Sequence, residues 1–531
     1  MVEAHAFEEF LGKFIPMISE KNLALNQALW TLETTGKKEA SLLKAKLETE
    51  LRLLLSDPSI YEQLLVWDKD QTLSDPQLKR QLNILIRSFK QNMIPIPLLK
   101  EIVNKESELL HAYANFRPRI SGKTLTENAI REILKNENDP NIRKQAWEAS
   151  KEIGEVLAPL IKKVVALRNQ AAHALGYTDY FTMQLDLQEV DEAWLFETLV
   201  QLGRDSEKAY NAALNEIEDH QMKTFAVPKD QLGPWAWSEP FCQEDPLATS
   251  ELDPLVNGLD LEEYAIKFYQ KMGYDVREVL KNSDMYEREG KNQHAFCINM
   301  DRQKDVRTLN NVKPTIKWLE TVLHELGHAI YELGFDEKLP WILKEPPHMI
   351  TTEAMALIAG RQAYLPNVLS HLVTDNNEEE IFAKARQSLK RRQLVFSRWV
   401  LVMTHFEREL YRQPNNDLNQ IWWGLVERYQ KIKAPDHRFE KSDWAAKYHI
   451  GLAPVYYYSY LLGELFASSL ENKLLQETGH KDIFSAKAGE FLTSKLFLPG
   501  NCYSWADLIE SVLGEKLTSK SWIDQFAIEV L

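Results

Sequence analysis

TIKWLETVLHELGHAIYELG, residues 315–334, carries the pattern of an amphipathic helix. Ile316, Leu319, Leu323, Leu326 and Ile330 recur at three- and four-residue spacing and make one apolar stripe. Pro314 opens the segment and Gly334 is a natural stop. His324 and His328 stand four residues apart on an adjoining face, so both imidazoles can reach one ion, and Glu325 sits beside the first. This is His-Glu-x-x-His, in which two histidines bind zinc and the glutamate activates a water. The competing reading is a purely structural pair of histidines. Their mid-helix placement at the required spacing favours the metal.

A catalytic zinc takes a third protein ligand and keeps one position open. Glu332, Glu345, His348 and Glu353 are the nearby candidates. Glu332 continues the same helix, and ligands strung along one helix cannot close a tetrahedron. Glu353 opens a second helical stretch, TTEAMALIAGRQAYL, behind the capping-type residues Thr351 and Thr352. From there a carboxylate can meet the histidines from across, so Glu353 is the choice and His348 the runner-up.

Upstream, QHAFCINMDRQKDVRTLNNV (293–312) reads as two short strands around a polar turn, with His294 in the first strand. Such an exposed edge can add an extended peptide through main-chain bonds from residues such as Ala295. Residues 227–258 are rich in Pro, Gly and aromatics and read as a long ordered loop of the kind that carries function. Elsewhere the chain is helical: 41–55 and 77–90 repeat apolar residues at helical spacing, and 531 residues hold only 20 Gly and 22 Pro. The expected fold is all-α with a small hairpin.

The formal net charge of −15 argues against nucleic acid. No run is long and apolar enough for a membrane span. Cys242, Cys297 and Cys502 are too scattered for a disulfide framework. MVEAHAFEEFLGKF at the start lacks the basic and apolar regions of a signal peptide, so a cytoplasmic location is expected.

HELGHAIYE with Glu353 placed 25 residues beyond His328 resembles the angiotensin-converting-enzyme family of zinc peptidyl-dipeptidases. The likeness extends to QHAFCINM and DVRTLNNV, to QIWWGLVERYQKIKAP (420–435), to KYHIGLAPVYYYSYLLGEL (447–465) and to LGPWAWS (232–238). It covers residues 230–470 well and the amino-terminal helices loosely. The resemblance implies one zinc on His324, His328 and Glu353, with Glu325 as general base. It implies that His449 and Tyr460 donate to the oxyanion, that His294 and Ala295 hold the substrate backbone, and that Lys447 and Tyr457 hold its terminal carboxylate. Tyr458 rivals Tyr460, because the spacing from His449 is one residue longer than the family's; at least two of Tyr456 to Tyr460 must be core aromatics.

Some positions depart from the family. Its clamp glutamine aligns with Trp237, leaving Lys447 and Tyr457 a less complete clamp. Two arginines tied to chloride activation align with Val426 and Ser459, so chloride dependence is expected to be absent. A carboxylate that supports a zinc-binding histidine aligns with Leu357. The resemblance implies one catalytic unit over 1–531, with helical lobe and lid in 1–225 and the site in 226–531, two lobes enclosing a deep groove. The expected activity is release of carboxyl-terminal dipeptides from short peptides, with no obligate protein partner. YYSYL also resembles the thimet oligopeptidase and oligoendopeptidase group, which cuts internal bonds. A non-catalytic peptide-binding protein with a decayed zinc site is the remaining alternative, and Glu325, which metal binding does not require, argues against it.

Overall fold

The computed structural model describes residues 2–69, 73–247, 250–373, 378–479 and 483–528. Its architecture is all-α, with two small antiparallel ladders. Among the described residues, no helix is long and apolar enough to cross a membrane. The chain forms two compact units, each assembled from three separated segments.

The first unit comprises Met1–Met93, Ser250–Ala385 and Gly463–Ser521. Its amino-terminal helices include Val2–Thr35, Lys38–Leu54 and Pro76–Lys90, the last capped by Asp75 with proline at its first position. They bury Phe7, Phe14, Trp67, Leu85 and Phe89 in one cluster that Leu343 also joins. The anticipated hairpin pairs Phe296–Asn299 with Val306–Leu309. The His-Glu-x-x-His helix spans Ile316–Leu333, and its predicted stripe is buried throughout. Thr315, not Pro314, begins it: the threonine side chain caps the Trp318 N–H. Gly334 ends it, although in a right-handed conformation; there a Cβ would lie 2.6 Å from the Phe497 side chain, so close packing selects the glycine.

The next helix, Met349–Arg361, crosses the motif helix in backbone contact. A Cβ on Gly327 would stand 2.7 Å from the Ala356 Cα, so glycine facing alanine sets this close approach. Gly327 adjoins His328 and Ala356 lies one turn beyond Glu353, so this crossing carries the metal-site geometry.

The second unit comprises Ile94–Thr249, Arg386–Leu462 and Trp522–Leu531. Helices such as Ile153–Ala174, Glu207–Phe225 and Leu418–Gln430 surround Trp147, Trp399, Trp444 and Tyr210, all fully buried. The Trp-rich loop is pinned to this unit. Arg143 donates to the carbonyls of Trp235 (3.0 Å) and Trp237 (2.9 Å), and Trp147 Nε1 donates to Pro240 O (3.0 Å). A second ladder, Arg119–Ile120 with Lys123–Thr124, went unread in the sequence. Ser121 and Gly122 take positive φ values of 50° and 80° between strands too short to show a period.

Candidate active site

In the first unit, His324, His328 and Glu353 each offer a ligand atom, and these atoms all lie within 4.8 Å of one another. Glu353 Oε2 is 3.6 Å from His324 Nε2 and 4.0 Å from His328 Nε2. Two ligands each about 2.1 Å from a tetrahedral zinc stand about 3.4 Å apart, so this nitrogen, nitrogen and oxygen set fits that ion. Burial pushes the His324 imidazole down to about 4 and His328 well below its usual range, which keeps both in the neutral form that binds metal. Burial, with Glu464 nearby, raises the Glu353 carboxyl to about 8, so a cation would compensate a largely desolvated carboxylate. Glu325 is buried beside the set and is raised to about 8 by burial, with Glu353 adding to the effect.

The other ligand candidates are engaged elsewhere. Glu332 accepts from Asn299 Nδ2 at 3.0 Å, and Glu345 pairs with Arg302 at 2.5 Å. The His348 ring caps the following helix, accepting from Ile350 N at 3.1 Å. This corrects the sequence reading of that helix: it begins at Met349 behind His348, so Thr351 and Thr352 lie in its first turn and Glu353 in its second. His294 is likewise displaced. The strand begins at Phe296, and His294 and Ala295 form the bend leading into it, where Asn292 Oδ1 accepts from His294 N at 2.9 Å. The side chain of His294 is exposed. Lys291 anchors this bend, donating from Nζ to Asp284 Oδ1 (2.8 Å), Asp284 O (3.0 Å) and Tyr286 O (2.8 Å).

In the second unit, Lys447 Nζ donates to Gln243 Oε1 at 2.9 Å, and Tyr457 Oη donates to the same oxygen at 3.2 Å. Trp399 Nε1 in turn donates to Tyr457 Oη at 2.9 Å. Lys447 is buried among Phe241, Trp399 and Tyr457, with its ammonium 5.1–5.5 Å from their ring centroids. Burial lowers it to about 8, against the pull of Glu239. The His449 ring meets the Tyr457 ring at 4.9 Å, and Tyr457 meets Tyr460 at 5.3 Å. Tyr457 and Tyr458 are the buried pair of the tyrosine run, whereas Tyr456 and Tyr460 are half-buried. Tyr458 Oη donates to Gln188 Oε1 at 2.7 Å inside the unit.

The sequence model of peptidase family M3 matches residues 133–528, a span that holds all of these side chains. The chain belongs to peptidase family M3. The angiotensin-converting-enzyme model matches residues 2–207 of this M3 chain, so the amino-terminal helices carry more of that likeness than their sequence reveals to inspection. Relatives include the angiotensin-converting enzyme-like protein Ace3 of Mus musculus, 24% identical over 76% of the chain and 60% of that protein. The angiotensin-converting enzyme of Oryctolagus cuniculus is 23% identical over 87% of the chain and 38% of its own length. That of Sus scrofa is 26% identical over 71% of the chain and 31% of its own length. The M3 chain therefore spans less than two thirds of the length of these curated relatives, from 31% to 60%. Peptidase family M3 is a family of metallopeptidases, and the amino-terminal part of this chain is similar to angiotensin-converting enzyme.

Two residues of this M3 peptidase escaped the sequence reading. Thr352 Oγ1 lies 2.8 Å from His328 Nδ1. The tautomer in which Nδ1–H donates to the threonine leaves the Nε2 lone pair on the Glu353 side, which is the support that Leu357 cannot give. Thr352 was visible as a cap-type residue but was assigned to its own helix. Gln243 places a side-chain amide oxygen against Lys447 and Tyr457, whereas Trp237 is buried and offers Arg143 its carbonyl. The glutamine sits six residues further along the same loop, where alignment to a family motif gives no signal.

Proposed function

We propose that the protein is a zinc peptidase that releases dipeptides from the carboxyl terminus of short peptides. The convergence of His324, His328 and Glu353 beside buried Glu325 carries the hydrolytic part of this reading. These three residues would hold zinc, which would supply Lewis-acid chemistry to a peptide carbonyl and to water at neutral pH. Glu325 takes a proton from the attacking water and delivers it to the leaving amine. His449 and Tyr460 donate hydrogen bonds to the oxygen on which charge develops. His294 and the Ala295 main chain hold the substrate backbone. Lys447, Tyr457 and Gln243 bind the terminal carboxylate: Gln243 can swing its oxygen aside and offer its amide while the ammonium and phenol turn to the anion. The free thiols of Cys242, Cys297 and Cys502 support a reducing, cytoplasmic setting.

A second reading, an oligoendopeptidase that cuts internal bonds, is favoured by the span of the M3 match, which takes in both clusters of side chains. Matched peptides with free and amidated carboxyl termini separate the two. Release of a dipeptide should be faster from the free acid by about tenfold or more, the value of one hydrogen bond to a charged group. Equal rates would leave the endopeptidase.

A further inference from the structure

The clamp contains a buried acid that carboxylate binding does not call for. Glu239 is 1% exposed, and its carboxylate accepts from Phe241 N (2.8 Å), Gln243 N (2.6 Å) and Gln243 Nε2 (3.5 Å). Between those two backbone donors Cys242 takes a positive φ of 54°, a conformation that a residue with a Cβ resists and that its surroundings must hold in place. The carboxylate closes this turn, and the turn presents Gln243 to Lys447 and Tyr457.

Charge gives the second line of argument. Phe241, inside the turn, faces two buried ammonium groups: Lys151 Nζ stands 3.4 Å from its ring centroid and Lys447 Nζ 5.1 Å. Burial lowers Lys151 to about 8, opposed by Asp443 and Glu239, and Glu239 is also the main opposing charge on Lys447. The remaining charges nearby are largely spoken for. Asp443 accepts from Arg438, Nε at 2.9 Å. Arg131, which also faces Lys447, pairs with Glu127 at 3.6 Å and Glu244 at 3.9 Å. The Cys242 thiol, which faces both Lys151 and Glu239, is pushed up by burial and stays neutral. Burial raises the Glu239 carboxyl, opposed by the backbone donors of its turn and by Lys447, and Glu239 is the acid that acts on both ammonium groups.

We propose that Glu239 is the positioning residue of the clamp: it holds the turn that presents Gln243 and, from within that turn, favours the Lys447 ammonium that meets the peptide carboxylate. This rests on the reading of Lys447, Tyr457 and Gln243 as a carboxylate clamp.

The test follows kcat/KM against pH for the full zinc-loaded chain on one peptide, as free acid and as amide. In the unaltered protein the free acid should show an alkaline limb, where Lys447 loses its proton, that the amide lacks. Glu239 favours the Lys447 ammonium, so Glu239→Gln should move that limb down by roughly one pH unit and raise KM for the free acid. Lys151 disfavours it, so Lys151→Met should move the limb up. These opposite shifts, confined to the free acid, are not what a merely structural role would give; if Glu239→Gln does not fold, Glu239→Asp, which keeps the charge but shortens the reach to the turn, should raise KM for the free acid alone, and an unchanged KM would overturn the role. Limbs unmoved, or moved equally for both peptides, would overturn the role of Glu239 while leaving the clamp. Equal rates on acid and amide in the unaltered protein would overturn the clamp reading and this proposal with it.

Discussion

The metal cluster and the carboxylate clamp are built in opposite ways. His324, Glu325, His328 and Glu353 lie within thirty residues, on two helices whose crossing is set by Gly327 against Ala356. The clamp joins Gln243 to Lys447 and Tyr457 across 204 and 214 residues of chain, and its glutamine sits in an irregular turn held by a buried carboxylate. Helical periodicity encodes the first arrangement locally. Only tertiary packing encodes the second. On the proposed reading, the chemistry of bond breaking is written in a motif, whereas the choice of substrate end is written in loop conformation.

If the two regions divide the work in this way, substitutions should separate rate from recognition. Glu325→Gln should lower kcat by roughly 10³-fold, within the range for a lost general base, while zinc stays bound in stoichiometric amount. Loss of the metal in that variant would make the site structural instead. Glu353→Ala should weaken zinc binding by more than about 100-fold, the upper end of what an outer-shell partner is worth. His348→Ala should keep the metal and cost about 1 kcal/mol of stability as a lost helix cap, measured by thermal unfolding. The reverse outcome would reassign the third ligand. Tyr460→Phe should lower kcat by about 100-fold with little change in KM, as for one oxyanion donor. If Tyr458→Phe has that effect instead, the donor is Tyr458. Smallest of all, Gln243→Ala should raise KM for free-acid peptides by about tenfold and leave kcat and the amidated peptides alone. A fall in kcat would break the separation between the two regions.

What could be read from the sequence follows the same division. The helices, the hairpin and the paired histidines follow from periodicity and spacing, and Gly334 ends the motif helix as expected, whereas the start of that helix and the position of Glu353 in the next differ from expectation by no more than one helical turn. Thr352 was missed because a threonine at a helix start has a local use, capping, that hides a distant one on His328. Gln243 gives no signal in the sequence because alignment, which puts Trp237 at the family's glutamine position, keeps register through a loop, whereas the turn at Cys242 brings Gln243 to Lys447 and Tyr457. His294 was placed in the strand because alternation does not show where pairing starts; that is set by Leu309 opposite Phe296.

The most direct single measurement is mass spectrometry of the products from a mixed peptide library, with and without a chelator. The expected result is carboxyl-terminal dipeptides and their shortened parents, lost on chelation and restored by zinc. Internal fragments regardless of the carboxyl terminus, cleavage that survives chelation, or no cleavage by the zinc-loaded chain would contradict it.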